Sequence, residues 1–116
     1  MHWQSVRLNL KDKDIEALKA VNSEVIDHIE DEGSFYLKPA IIKKLGEELT
    51  RVTTEYDLFS RIIPRIDSSP DHYVVRLQHS DNEILNLPWN LARYGETGKM
   101  LGNIPRLYMT KSLIPS

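Results

Sequence analysis

The histidines are the side chains of this 116-residue chain that first raise the question of metal binding or proton transfer. His72 and His79 are seven residues apart in an alternating segment, so a strand at ~3.3 Å per residue would hold them ~23 Å apart on opposite faces. No two histidines stand four residues apart beside a glutamate, which is the pattern of a helical zinc-peptidase site. We therefore expect no metal ligand and no general base among His2, His28, His72 and His79.

Nucleophilic and nucleotide chemistry also lack their sequence signatures. The chain contains no cysteine, which excludes a thiolate nucleophile, a disulfide and a Cys-ligated zinc within these residues. It has no Gly-x-Ser-x-Gly turn, and the segment GETGKMLG (95–102) does not fit a phosphate-binding loop. We therefore expect no catalytic residue, no cofactor and no metal. An enzyme with carboxylate chemistry is an alternative that requires two acidic groups in one pocket with perturbed pKa values.

Charge and hydropathy limit the partners. The chain has 15 Lys and Arg against 17 Asp and Glu, a formal net charge of −2, which is too balanced to indicate nucleic acid by electrostatics alone. No window approaches the ~18 apolar residues of a membrane span, and the first ten residues lack the apolar stretch of a signal peptide. We expect one cytoplasmic domain with neither a nucleic-acid nor a membrane partner.

Hydrophobic periodicity predicts the elements that would position any site. Alternation over 4–10, 72–79 and 105–112 predicts three half-buried strands, the last with Leu107 and Met109 facing inward. Helical spacing predicts one helix that starts near residue 12 and ends before Gly33, with a break near Asn22 as an alternative, a second over 39–63, and a short one over 85–94. The glycines of the segment 95–102 predict a flexible loop after the short helix. The predicted fold is α/β, a small sheet of about three strands with two longer helices packed on it, in the order β-α-α-β-α-β.

The helix predicted over 39–63 has the most regular apolar stripe of the chain, with gaps of three and four residues in alternation. Packing of this stripe on the sheet is the favoured interpretation, because the strands need a covering layer. A coiled-coil seam with a second chain is the alternative. The stripe consists of Ile42, Leu45, Leu49, Val52, Tyr56, Phe59 and Ile63.

Two segments carry a resemblance to a known family. An alternating strand (73–80) is followed by the Pro-Trp cluster Leu87-Pro88-Trp89-Asn90-Leu91 and by an aromatic residue, Tyr94. A glycine-rich loop with Leu101-Gly102 comes next, and then a strand with Ile104 and Arg106. This order resembles the region of CHAT domains that precedes their caspase-like core. The family's cluster usually reads Leu-Pro-Trp-Glu-Leu, so Asn90 departs from it. Upstream, Leu45-Gly46-Glu47-Glu48-Leu49 is similar to the family's Leu-Gly-x-x-Leu.

The resemblance implies a noncatalytic role. CHAT domains resemble caspases, cysteine peptidases with a His and Cys pair, and both catalytic residues lie downstream of the matched region. Residues 1–116 would then be a single domain or the N-terminal part of a larger caspase-like CHAT domain, flanking and regulating the core of a parent cysteine peptidase, in bacterial defence or signalling. The implied partner is that downstream core or another protein chain, with homo-oligomers as an option.

The residues themselves add a predicted anchor and a predicted interface. Pro88 fixes φ and gives Trp89 one direction in which to bury its ring, so the predicted anchor is Leu87, Pro88, Trp89 and Leu91. Apolar residues run to the end of the sequence, which suggests a chain cut from something longer with an interface at Leu107, Met109, Leu113 and Ile114. The alternative function is a stand-alone protein–protein interaction module that uses strand-edge pairing or self-association.

Overall fold

The computed structural model describes residues 2–32, 39–67, 70–94 and 98–115. Its strands are β1 (His2–Arg7), β2 (Tyr73–His79), β3 (Arg93–Tyr94), β4 (Lys99–Met100) and β5 (Leu107–Leu113). Its α-helices are α1 (Asp12–Glu32), α2 (Pro39–Glu55), α3 (Ile63–Asp67) and α4 (Asn82–Leu85), and two 3₁₀ turns lie at Trp89–Leu91 and Leu101–Asn103.

The main sheet has three strands in the order β1-β2-β5, and both pairings are parallel. The pair β3-β4 forms a separate antiparallel ribbon. The predicted α/β class, the three-stranded sheet and the two longer helices are therefore confirmed, and the small antiparallel ribbon is an addition that the sequence did not indicate.

The helices cover one face of the sheet. Successive strands step across the sheet in one direction, and right-handed crossovers then place both connections on the same side. On that side Val6, Val75 and Leu77 join one hydrophobic core with Leu18 of α1 and Leu49 of α2. Leu18 and Leu49 have no exposed surface, so the stripe of α2 packs within this domain and does not form a coiled-coil seam.

The predicted helix over 39–63 is too long at its C-terminal end. Asp57 adopts a left-handed φ of 55°, and the N–H groups of Asp57 and Leu58 donate to the carbonyls of Thr54 and Thr53 at 3.2 and 3.1 Å. These two bonds form a Schellman motif, which ends a helix by satisfying its last carbonyls. Phe59 still reaches the core from the turn that follows, which is why the apolar spacing continued past the true helix end.

The short helix predicted over 85–94 lies earlier in the chain, as α4 at Asn82–Leu85. The Asp81 carboxylate caps α4 by accepting from the N–H of Glu83 at 2.9 Å, so the helix starts earlier than expected. Pro88 lacks an N–H and disfavours a helical conformation at the preceding residue, so the helix cannot run through it. A 3₁₀ turn over Trp89–Leu91 and then β3 take its place.

The other boundaries differ by a few residues. β1 occupies His2–Arg7 instead of 4–10, α1 runs unbroken through Asn22, and β5 occupies Leu107–Leu113 instead of 105–112. The predicted flexible loop over 95–102 contains β4 and part of a 3₁₀ turn in its described portion, while 95–97 lie outside the described residues.

Candidate interaction surface

Trp89 lies inside the domain core. Its side chain is 2% exposed, and its indole Nε1 donates a hydrogen bond of 2.9 Å to the carbonyl oxygen of Ile84 in α4. Leu87 is equally buried, while Pro88 and Leu91 are half-buried. The predicted anchor residues thus fasten the turn between α4 and β3 to the core.

The two glycines of the family-like segments flank this turn. A Cβ on Gly102 would lie 3.1 Å from the Cβ of Asn90, which is closer than ordinary contact, so a side chain at this position would crowd Asn90. A Cβ on Gly46 of α2 would lie 3.5 Å from the carbonyl oxygen of Leu91, which is ordinary contact. The segments that carry the resemblance are distant in sequence and meet around the Pro-Trp cluster.

A groove of about 300 Å³ lies beside β5. Its lining joins anchor residues and predicted interface residues, including Leu87, Pro88, Trp89, Leu107 and Met109. Leu107 and Met109 are half-buried and pack against the core, as expected for the inward side of a strand. The structure therefore brings two of the four interface residues and three of the four anchor residues to one place.

The remaining predicted residues lie elsewhere. Leu91 lines a different groove of about 600 Å³ between α2 and the β3-β4 ribbon, together with Ile42, Gly46 and Met100. Leu113 is 60% exposed at the end of β5, and the N–H of Ile114 donates to the carbonyl oxygen of His79 at 3.0 Å. Neither of these two terminal residues lines the groove beside β5.

The sheet face opposite the helices has no helix packed on it within the described residues. We call it the open face and define it by three rows that the register sets across β1, β2 and β5: Trp3, Val74, Tyr108; Ser5, Arg76, Thr110; Arg7, Gln78, Ser112. Trp3 and Tyr108 are 59% and 54% exposed. Val74 between them is buried, yet it does not belong to the hydrophobic core cluster.

Side chains interact across the open face. The Arg76 guanidinium carbon lies 5.4 Å from the centre of the Trp3 ring, within the range of a cation–π interaction. The rings of His72 and Tyr108 are 5.6 Å apart and tilted by 46°. The open face was not predicted from the sequence as an interaction surface. The sequence does contain a pattern that indicates it. Trp3 lies on the same side of the strand as Ser5 and Arg7, which is the polar side, whereas Val6 lies on the other side.

A buried carboxylate lies where α1 begins and α2 ends. The Asp14 side chain is 3% exposed and accepts hydrogen bonds from the Tyr56 hydroxyl and, at 3.0 Å, from Nη2 of Arg51. The Tyr56 hydrogen bond, aided by Arg51, lowers the pKa of Asp14 below its ordinary 3.8. The same bond raises the pKa of Tyr56. A general acid needs a raised carboxyl pKa, so this group serves to join the two helices.

The histidines whose side chains are described have local partners. Nδ1 of His79 accepts from the backbone N–H of Asp81 at 2.9 Å, and Nε2 of His2 lies 2.9 Å from a carboxylate oxygen of Asp71. The side chain of His28 lies outside the described residues. No three His, Asp or Glu side chains in the described part of the chain are grouped so that they could hold a metal ion.

No helix within the described ranges combines the length and apolar character required to cross a bilayer. Comparison of the chain with protein-family models, with curated proteins and with solved structures found no match.

Proposed function

We propose that this chain is a noncatalytic protein-interaction domain in the cytoplasm, which forms the N-terminal structural and regulatory flank of a CHAT-type, caspase-like cysteine peptidase. In this role it holds the downstream core, or another protein chain, and transmits the binding of a regulator to it. The peptide-cleaving residues belong to the core, and none is assigned to this chain.

The groove beside β5 is the observation that carries the proposal. β5 pairs with β2 on one side only among the described residues, and an edge strand presents unpaired backbone N–H and C=O groups on its other side. The groove next to that edge is lined by the Pro-Trp cluster and by Leu107 and Met109. A polypeptide that extends the sheet past β5 would pair with the edge and cover these apolar side chains.

The parallel direction of the sheet supports the same proposal. Purely parallel sheets occur almost only where helices cover both faces, and this one is covered on one face. A sheet continued beyond β5 by a larger α/β core would supply further parallel strands. Gly46 lies next to Leu91 and Gly102 next to Asn90, so the family-like segments pack together around one turn.

The test begins with the coding sequence after residue 116. A His and a Cys within a further caspase-sized stretch would support the proposal, and a stop codon would contradict it. The polypeptide encoded there is then expressed separately, and its binding to this chain is measured by calorimetry. Leu113→Glu should weaken binding strongly, because it places a charge on the exposed end of β5.

Ile26→Glu is the matched control, because Ile26 is an apolar residue of α1 with 44% exposure that lies away from the β5 edge. Equal loss of binding in both variants, with unchanged thermal melts, would contradict an interface at β5.

A stand-alone interaction module is the second candidate, and the open face favours it because that surface spans all three strands and is not confined to the β5 edge. Removing residues 113–116 distinguishes between the two candidate functions. A stand-alone module keeps its melting temperature and its partner after this truncation, whereas the flank of a peptidase core loses the contact with the core.

A further inference from the structure

We propose that the open face binds one acidic amphipathic helix from another polypeptide. This inference goes beyond the proposed function and does not rest on it, because the open face shares only Tyr108 with the lining of the β5 groove.

The open face has an exposed aromatic row. Trp3 and Tyr108 flank Val74 at one end of the open face, and more than half of each aromatic side chain is exposed. Exposed tryptophan and tyrosine side chains are the residue types that most often dominate binding energy when a partner buries them. The row therefore offers anchor positions for the apolar stripe of a partner.

The open face has the width of one helix. Three strands at ~4.8 Å spacing separate the two outer strands by ~10 Å, which is close to the 10–12 Å diameter of one helix. The nine residues span only ~250 Å² of flat area, far below the ~800 Å² per partner of a standard stable interface. The area thus fits one helix in a transient complex and is too small for a stable dimer formed by two open faces.

The nine residues of the open face carry a positive charge. Two of the nine open-face residues are the cations Arg7 and Arg76, and none is acidic. Both arginines are exposed, and the guanidinium of Arg76 lies over the Trp3 ring. A helix with Leu or Met in its stripe and Asp or Glu along its border would pair with the arginines while its apolar side covers the aromatic row.

Single-stranded nucleic acid is the competing ligand for an aromatic and cationic sheet face. The Trp3 ring is already occupied by Arg76, and only two cations lie on the face of a chain whose formal charge is −2. A base would have to displace Arg76 to stack on Trp3. These observations favour the acidic helix.

The test uses two designed peptides as probes. Each is an amphipathic helix of about 18 residues with the same Leu stripe and no aromatic residue, one bordered by Glu and the other by Lys. The chain has two tryptophans, and Trp89 is buried, so a change in tryptophan emission reports on Trp3. We expect the acidic peptide to shift this emission to shorter wavelength and to bind about tenfold more tightly than the basic one.

Variants locate the binding, with fluorescence anisotropy of labelled peptide as the readout. Trp3→Ala and Tyr108→Ala should each weaken the acidic peptide about tenfold. Arg76→Glu should reverse the preference in favour of the basic peptide, and Ile26→Ser on α1 should change nothing. Thermal melts by circular dichroism establish that each variant is folded, which is expected because the substituted side chains are largely exposed.

Four outcomes would overturn the proposal. They are equal binding of the two peptides, acidic-peptide binding that survives both aromatic substitutions, oligothymidine that binds more tightly than the acidic peptide, and a dimer in light scattering that Trp3→Ala dissociates. Raising NaCl from about 50 to about 500 mM should weaken the acidic complex, because salt screens the arginine contacts.

Discussion

Trp89 combines a large buried ring with a satisfied indole N–H. Trp89→Ala removes the ring from the core and leaves a cavity, so we expect a loss of about 3 to 5 kcal/mol in the free energy of unfolding. Trp89→Phe keeps most of the apolar contact and removes the indole donor, while the Leu87 N–H still donates to the Ile84 carbonyl at 3.3 Å, so this variant should cost about 1 kcal/mol. Urea unfolding followed by circular dichroism measures both. Full retention of stability by the alanine variant would contradict the anchor role.

The two glycines beside the Pro-Trp cluster should respond in opposite directions. Gly102→Ala forces a Cβ to within 3.1 Å of Asn90 and should destabilise the domain by about 1 kcal/mol or more. Gly46→Ala adds a Cβ at ordinary contact distance in the interior of α2, where alanine favours the helix by up to about 1 kcal/mol.

Thermal denaturation of the two glycine variants against the wild type gives the comparison. Destabilisation by Gly46→Ala that matches the effect of Gly102→Ala would mean that the packing around the turn is different from that described.

At the scale of the elements, Asp14 makes the junction of α1 and α2 sensitive to acid. Its folded pKa is lowered from 3.8, so the stability it contributes is present above pH 3.8 and is lost as the pH falls through the lower folded value. The wild type should therefore lose more stability between about pH 5 and about pH 2 than Asp14→Asn does. Urea titrations at each pH measure this difference.

Asp71 and Asp81 also have lowered pKa values. The stability of Asp14→Asn should therefore still fall at low pH, although by less than that of the wild type. The expected result is a reduced slope of stability against pH in Asp14→Asn, and an unchanged slope would contradict the role of this carboxylate.

α2 provides a second test at the same scale. Leu49 has no exposed surface and lies in the core, so Leu49→Ala should lower the free energy of unfolding by about 2 to 5 kcal/mol. The mass of the particle in light scattering should not change, because the stripe packs within the domain. A dimer that becomes a monomer without loss of stability would instead indicate an intermolecular seam.

Apolar spacing was sufficient to predict the two long helices and the three strands of the main sheet. It could not locate the end of α2, because Phe59 continues the spacing from a turn that starts with the left-handed Asp57. It also misplaced the short helix α4, where the cap by Asp81 and the break at Pro88 outweighed the apolar pattern. Backbone hydrogen bonds at helix ends decide such boundaries, and periodicity does not report them.

The candidate site was predictable only in part. The alternation in each strand separates two faces, but it does not reveal which face remains uncovered, because that depends on the strand order and the handedness of the connections. Leu107, Met109 and Trp89 were selected from the sequence, and the structure adds that they share a groove. Trp3 and Tyr108 are far apart in sequence, and only the register across β2 places them in one row.

At the scale of the whole molecule, no three His, Asp or Glu side chains among the described residues are grouped so that they could hold a metal ion. The sequence has no cysteine, and the buried Asp14 has a lowered pKa. We expect purified protein to show no turnover of a panel of fluorogenic peptides. Turnover that persists through purification and disappears on substitution of one residue of this chain would contradict a noncatalytic domain.

The parallel pairing of β1 with β2 also constrains how the chain assembles as it is made. His2 pairs with Tyr73, so β1 can form this pairing only after α1, α2 and α3 have been synthesised. The two long helices can pack against each other from local contacts, whereas closing the sheet must bring together distant segments, which is slow. Nascent chains should therefore form the helical hairpin first, and β1 should depend on chaperones or on the helices for protection until β2 arrives.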